Sequence, residues 1–159
     1  MIRIARQQDI STIAAIYMTC FPKELNHQQW IEASFCASPR STYYVIEVSG
    51  EIVGYILWCV KNGFRASTIV ELEQLAISPT HSGKGLGRAL IQQSFLALGE
   101  HINQLGYSMG AVMVTTSEGN YAEKLYTSTL GVTRAALIEG YGSGNEVILY
   151  NNDLSISET

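Results

Sequence analysis

Cysteine and proline are both scarce in this 159-residue chain, with three residues each, the cysteines at positions 20, 36 and 59. An odd number of scattered cysteines, none set at ligand spacing from a histidine, indicates neither a disulfide framework nor a metal site such as zinc. A reducing, cytoplasmic compartment is the simplest expectation. Basic charge is also sparse: ten Lys and Arg stand against fourteen Asp and Glu, a net charge of −4. Nothing therefore suggests a nucleic-acid surface, which needs a basic stripe. The longest apolar run, residues 52–60, contains Gly54 and falls far short of the roughly 18 residues of a membrane-spanning helix; no signal-peptide pattern opens the chain. Neither membrane nor secretion is expected. What remains is 47% hydrophobic, enough to bury a core at single-domain size. The expectation is one domain over residues 1–150 and a polar tail over 151–159.

Along the chain the hydrophobic period changes. Ile2 and Ile4 alternate with Arg3 as a first strand, and Asp9 is placed to cap a helix carrying Ile10, Ile13, Ala14, Ile16 and Tyr17. Phe21-Pro22 ends that helix. A second helical piece spans about 28–35, with Trp30, Ile31 and Phe35 apolar. From residue 43 the pattern becomes extended: strands over 43–48, 52–60 and 67–77, with turns at Ser49-Gly50 and Asn62-Gly63. A long helix over about 85–105 lines up Leu86, Leu90, Ile91, Ser94, Leu98, Ile102 and Leu105, and Gly106 suits its end. A short strand at 111–114, a helix at 121–130 closed by Gly131, and strands near 134–138 and 146–150 follow. The fold class is α/β, of the α+β kind: a mixed, mainly antiparallel sheet with helices on both faces.

One stretch carries chemistry. The apolar strand end Leu75-Ala76-Ile77-Ser78-Pro79 runs into Ser82-Gly83-Lys84-Gly85-Leu86-Gly87-Arg88 and then the long helix. Glycines let the backbone approach a ligand, while the open N–H groups of a first helical turn favour an anion such as a phosphate. Gly83-Lys84 is followed by Gly85, with Ser78 five positions before Gly83, so the spacing of a Walker loop is absent. Glycines at 83, 85 and 87 with Arg88 next do not make a dinucleotide fingerprint either. The segment resembles motif A of the GNAT superfamily, the acyl-coenzyme-A-dependent N-acetyltransferases, whose pattern is Arg/Gln-x-x-Gly-x-Gly/Ala after a strand ending in apolar-x-apolar-x-Pro. Both pattern glycines match, and Ser82 stands where the family usually carries Arg or Gln.

The resemblance extends over nearly the whole chain and implies the GNAT fold. It implies acetyl-CoA as co-substrate, with the backbone of Leu75, Ala76 and Ile77 pairing the pantetheine arm and polarising the thioester. Residues Ser82, Gly83, Lys84, Gly85, Leu86, Gly87 and Arg88 would meet the phosphates. The family's second motif, Asn-x-x-Ala-x-x-Leu-Tyr, appears with Ala122, Leu125 and Tyr126 at the right mutual spacing and Asn120 one position late. Asn120 is either a cofactor contact or half of a capping box with Glu123. Tyr126 is the candidate general acid for the leaving thiolate, with a packing aromatic as the alternative. Glu71 and Glu73 lie two apart on a strand, facing the same way as Leu75 and Ile77 by simple alternation; either is a candidate base for the acceptor ammonium, unless they are a solvent-facing half-strand. Tyr43, Tyr44, Trp30, Phe21 and Tyr141 are pocket or core aromatics. No cysteine lies near either motif in the sequence, so direct transfer is expected over a thioester on the enzyme. The function read from this is acetyl transfer to a primary amine of a small molecule, peptide or protein, without a metal. A non-catalytic acyl-CoA-binding regulatory module is the alternative, an interaction domain ranks third, and the resemblance allows a homodimer.

Overall fold

A two-residue turn sets the register of the sheet's first half. Ser49 and Gly50 both sit at positive φ, 52° and 81°, the conformation that joins right-twisted strands without splaying them. In the computed structural model, which describes residues 1–155, that turn joins β2 (Ser41–Val48) to β3 (Glu51–Val60). The remaining strands are β1 (Ile2–Ile4), β4 (Thr68–Ile77), β5 (Met109–Ser117), β6 (Thr133–Tyr141) and β7 (Gly144–Asn151). The helices are α1 (Ile10–Cys20), α2 (His27–Cys36), α3 (Leu86–Gln104) and α4 (Ala122–Leu130). Strands neighbour one another in the order β1-β2-β3-β4-β5-β7-β6. The sheet is mixed, as the sequence pattern predicts: β4 and β5 are parallel, while β1–β2, β2–β3, β5–β7 and β6–β7 are antiparallel. A parallel pair needs a long crossover, which α3 supplies.

The chain forms two compact units. The first comprises Met1–Cys59 and Gln74–Leu96. Its sheet is buried on both faces, which explains why β3 reads as a continuous apolar run and not as an alternation. On one face Tyr43, Val45, Tyr55, Leu57 and Ala76 join Ile10, Ile13, Ala14, Tyr17 and Ile31 of α1 and α2. On the other, Trp58 stacks near Phe95 at 5.5 Å and donates its indole N–H to Ser94 Oγ at 2.9 Å. Ser94 is fully buried, and that bond is why a hydroxyl tolerates the apolar side of α3. Phe95 is buried there and Leu105 is exposed, the reverse of the predicted stripe at those two places; Leu105 lies past the last helical residue.

Asp9 does not cap α1 with its side chain. Its carboxylate accepts the Arg6 backbone N–H at 2.7 Å and two Arg3 N–H groups at 2.7 and 3.1 Å. Arg3 draws it back toward β1, so it closes the 3₁₀ turn Gln7–Asp9 that precedes the helix.

The second unit comprises Val60–Glu73 and the chain from Ala97 onward. Here β4 pairs with β5 from Thr68↔Met109 to Leu72↔Val114. That ladder stops five residues before β4 ends. β6, predicted at 134–138, runs to Tyr141 beside β7, and every one of its residues is exposed. Asn151, placed in the tail by sequence, instead completes β7 and donates from Nδ2 to Leu130 O at 2.9 Å. Residues 156–159 of the predicted tail lie outside the described residues.

Candidate active site

In the first unit, the end of β4 is held along one edge by β3. Ser78 N–H donates to Val53 O at 2.7 Å, and the Ala76 carbonyl lies against Gly54, where a Cβ would meet it at 2.9 Å. Gly54 is therefore a close-approach glycine, not a flexible break in the strand. The backbone groups of Ala76 and Ser78 face β3, so those of Leu75 and Ile77 face the opposite edge.

After β4 the 3₁₀ turn Pro79–His81 leads into the glycine segment. Gly83 and Gly85 stand at φ of 75° and 76°, a region that favours residues without Cβ. Nothing lies within 4 Å of where either Cβ would be, so the constraint is conformational and the surrounding space is open. Gly87 lies within α3, which begins at Leu86. Lys84 and Arg88 are exposed beside the first turn of that helix, whose N–H groups add their own positive potential. Strand end, turn, two left-handed glycines, two cations and a 19-residue helix together form a cradle suited to a pyrophosphate. The Ser82 hydroxyl donates to Pro79 O at 3.0 Å.

Residues that sequence reading passed over lie on the other side of the same strand end. Tyr55 OH donates to Gln74 Oε1 at 2.7 Å, and Tyr17 is buried on α1. Burial raises both phenols above the usual tyrosine range, so Tyr55 stays protonated as the donor. The Cys20 thiol contacts Ile77 O at 3.5 Å. A cysteine remote from motif A in sequence is thus adjacent to it in space. Burial pushes that thiol up, which opposes thiolate formation and favours direct transfer. Strand alternation singles out Gln74: it is the one polar residue between Glu73 and the apolar run, and it points opposite to Leu75. Of the candidate aromatics, Tyr43 and Tyr44 are core, whereas Trp30, Phe21 and Tyr141 are exposed.

In the second unit, Glu71 is buried and pairs with Lys61 Nζ at 3.0 Å, while Glu73 is exposed. Tyr126, on α4, is half-buried, and burial raises its phenol above the ordinary value. Asn120 accepts the Ala122 N–H at Oδ1, 2.9 Å away. It caps α4, but the reciprocal half of the box is missing: Glu123 turns to Arg134, with contacts of 2.7 and 3.0 Å. The bidentate guanidinium offers two charged donors where the Asn120 N–H offers one neutral donor.

The acetyltransferase (GNAT) family model matches residues 10–132, a span that contains both motifs. The chain belongs to the acetyltransferase (GNAT) family. An N-alpha-acetyltransferase from Sulfurisphaera tokodaii is 29% identical over 109 residues, which is 64% of this chain and 64% of that protein. The chain thus matches slightly less than two thirds of that relative's length. A ribosomal-protein-alanine N-acetyltransferase from Brucella melitensis superposes with a TM-score of 0.70 at 20% identity, over 96% of this chain and 99% of that one. A Salmonella typhimurium structure holding acetyl-CoA gives 0.68 at 23%, over 96% and 92%. At such identities the likeness is one of fold, and the GNAT fold is the one observed. Among the described residues no helix is long and apolar enough to cross a membrane, and no cluster of His, Cys, Asp and Glu could hold a metal ion.

Proposed function

We propose that this GNAT member transfers the acetyl group of acetyl-CoA directly to a primary amine. The observation that carries the reading is the strand end followed by Gly83 and Gly85 in left-handed conformation at the start of α3, with Lys84 and Arg88 supplying charge. Residues 83–88 take the pyrophosphate, and the edge of β4 that faces away from β3 takes the amide arm, with Leu75 as the backbone donor. The amine attacks the thioester carbonyl carbon, the C–S bond of the resulting tetrahedral adduct breaks, and the thiolate takes a proton. Tyr126 supplies it, since its raised phenol remains an acid at neutral pH. Glu73, exposed on β4, takes the proton of the acceptor ammonium.

The acceptor is an amine of a small molecule, a peptide N-terminus or a lysine. Three free cysteines suit a cytoplasmic location, a single domain covers residues 1–150, and the exposed edge strand β6 suits a homodimer. Calorimetric titration with acetyl-CoA tests the reading. One-to-one binding that falls at least tenfold in Gly85→Glu, with folding retained because the space around Gly85 is open, supports it; no binding refutes it.

A second reading is an acyl-CoA-binding module without turnover. The local engagement of Ser82 with Pro79 and of Asn120 with Ala122 favours it. Saturable acetyl-CoA binding with no release of free thiol across a panel of peptide N-termini, lysine and polyamines would select it.

A further inference from the structure

β4 continues for five residues beyond its last pairing with β5. A strand paired along one edge only is free to bend away from it, yet backbone recognition of a ligand requires a fixed path. Gln74 is the second residue of this unsupported stretch and Ile77 its last. The amide of Gln74 accepts the phenol proton of Tyr55, which is fully buried on β3, and Tyr17 is buried on α1. Tyr43 packs on Tyr55 with ring centroids 5.9 Å apart, and His27 packs edge-on against Tyr17 at 4.7 Å. Neither phenol is therefore free to change rotamer. At the far end the Cys20 thiol, one helical turn beyond Tyr17, contacts the Ile77 carbonyl. Residues 75 and 76 thus run between two side-chain ties anchored in the core.

We infer that Gln74 is a positioning residue for acetyl-CoA: held by the buried Tyr55, its amide fixes the path of residues 75–77 and thereby the affinity for the pantetheine arm. This rests on the reading that those residues hold that arm. Gln74 touches neither the reacting carbonyl nor the amine and acts through the backbone that follows it. The clasp needs an acceptor atom at the Oε1 position, because that is where Tyr55 donates its phenol proton. An apolar side chain of the same length removes the acceptor; a carboxylate retains it.

The test is calorimetric titration of acetyl-CoA into four purified variants, with thermal melting of each. Gln74→Met and Tyr55→Phe are expected to weaken acetyl-CoA binding by about tenfold, the scale of one buried hydrogen bond left unmade. Gln74→Glu is expected to stay within about threefold of the wild type, the rescue that identifies the acceptor atom as the cause. Leu75→Pro removes the backbone donor and tests the underlying reading separately. If Leu75→Pro loses affinity while Gln74→Met does not, the clasp is overturned and the strand reading survives. If Leu75→Pro binds normally, both fall. If Gln74→Met and Gln74→Glu weaken binding equally, and only in step with lowered melting temperature, Gln74 is a structural residue and the inference is overturned.

Discussion

The Glu71 carboxylate lies 3.0 Å from the Lys61 ammonium, with 8% of the Glu71 side chain exposed against 42% of Lys61. Two residues along, Glu73 is exposed. The two carboxylates, equivalent by sequence, thus sit in different surroundings. Glu71→Gln is expected to cost about 1–2 kcal/mol in chemical denaturation, because it weakens a charged hydrogen bond in a buried setting, with kcat within about threefold. Glu73→Gln is expected to lower kcat by about 10²-fold or more. The opposite ranking of the two in steady-state kinetics would reassign the base.

Tyr126→Phe is expected to reduce kcat by about 10²-fold with little change in acetyl-CoA affinity, since the hydroxyl acts on the leaving sulfur. Burial raises this phenol. The wild-type rate should therefore persist through the ordinary tyrosine range near pH ~10 and fall only above it, whereas the Phe variant should lack that fall. Full turnover in Tyr126→Phe would leave the ring as packing alone.

The Arg3–Asp9 pair makes stability depend on acid. Hydrogen bonds from Arg3, then the Arg6 N–H, hold the Asp9 carboxyl below its usual value against the opposing effect of burial. A depressed native pKa gives stability that is present above the unfolded value, about 3.9, and lost as pH falls through the native one. Asp9→Asn should lose about 1.5–3 kcal/mol at pH 7, and the gap from wild type should close below about pH 4. Urea melts at pH 7 and pH 3 measure both.

Ser94→Ala strands a buried indole N–H, because Trp58 donates to Ser94 Oγ. Equilibrium unfolding should show a loss of about 1–3 kcal/mol, and Trp58 fluorescence should shift as its hydrogen bond disappears. An unchanged midpoint would mean that the indole finds another acceptor.

Much of this was legible in the chain. The residues named for the buried face of α1 are the buried ones, Ser49-Gly50 marked its hairpin, and the glycine segment was recognised from its order of elements. Elements with a strong local cause were read correctly. What failed depended on partners distant in sequence. Asp9 has the residue type of a cap, and only Arg3 and the Arg6 N–H explain why it closes the preceding turn. Glu123 is spaced for a capping box, but Arg134, eleven residues later, takes its carboxylate. Cys20 appeared unrelated to the motif until the fold brought it to Ile77.

A strand that outlasts its parallel partner also leaves a kinetic trace on its own amides. The N–H of Ser78 is bonded to Val53, and the edge that Ala76 shares with β3 is closed in the same way, whereas Leu75 and Ile77 present theirs to the other side. Deuterium uptake near this end should therefore alternate residue by residue: slow where β3 holds the hydrogen, fast where nothing does. The fast positions mark the backbone that a bound acyl carrier would shield from solvent.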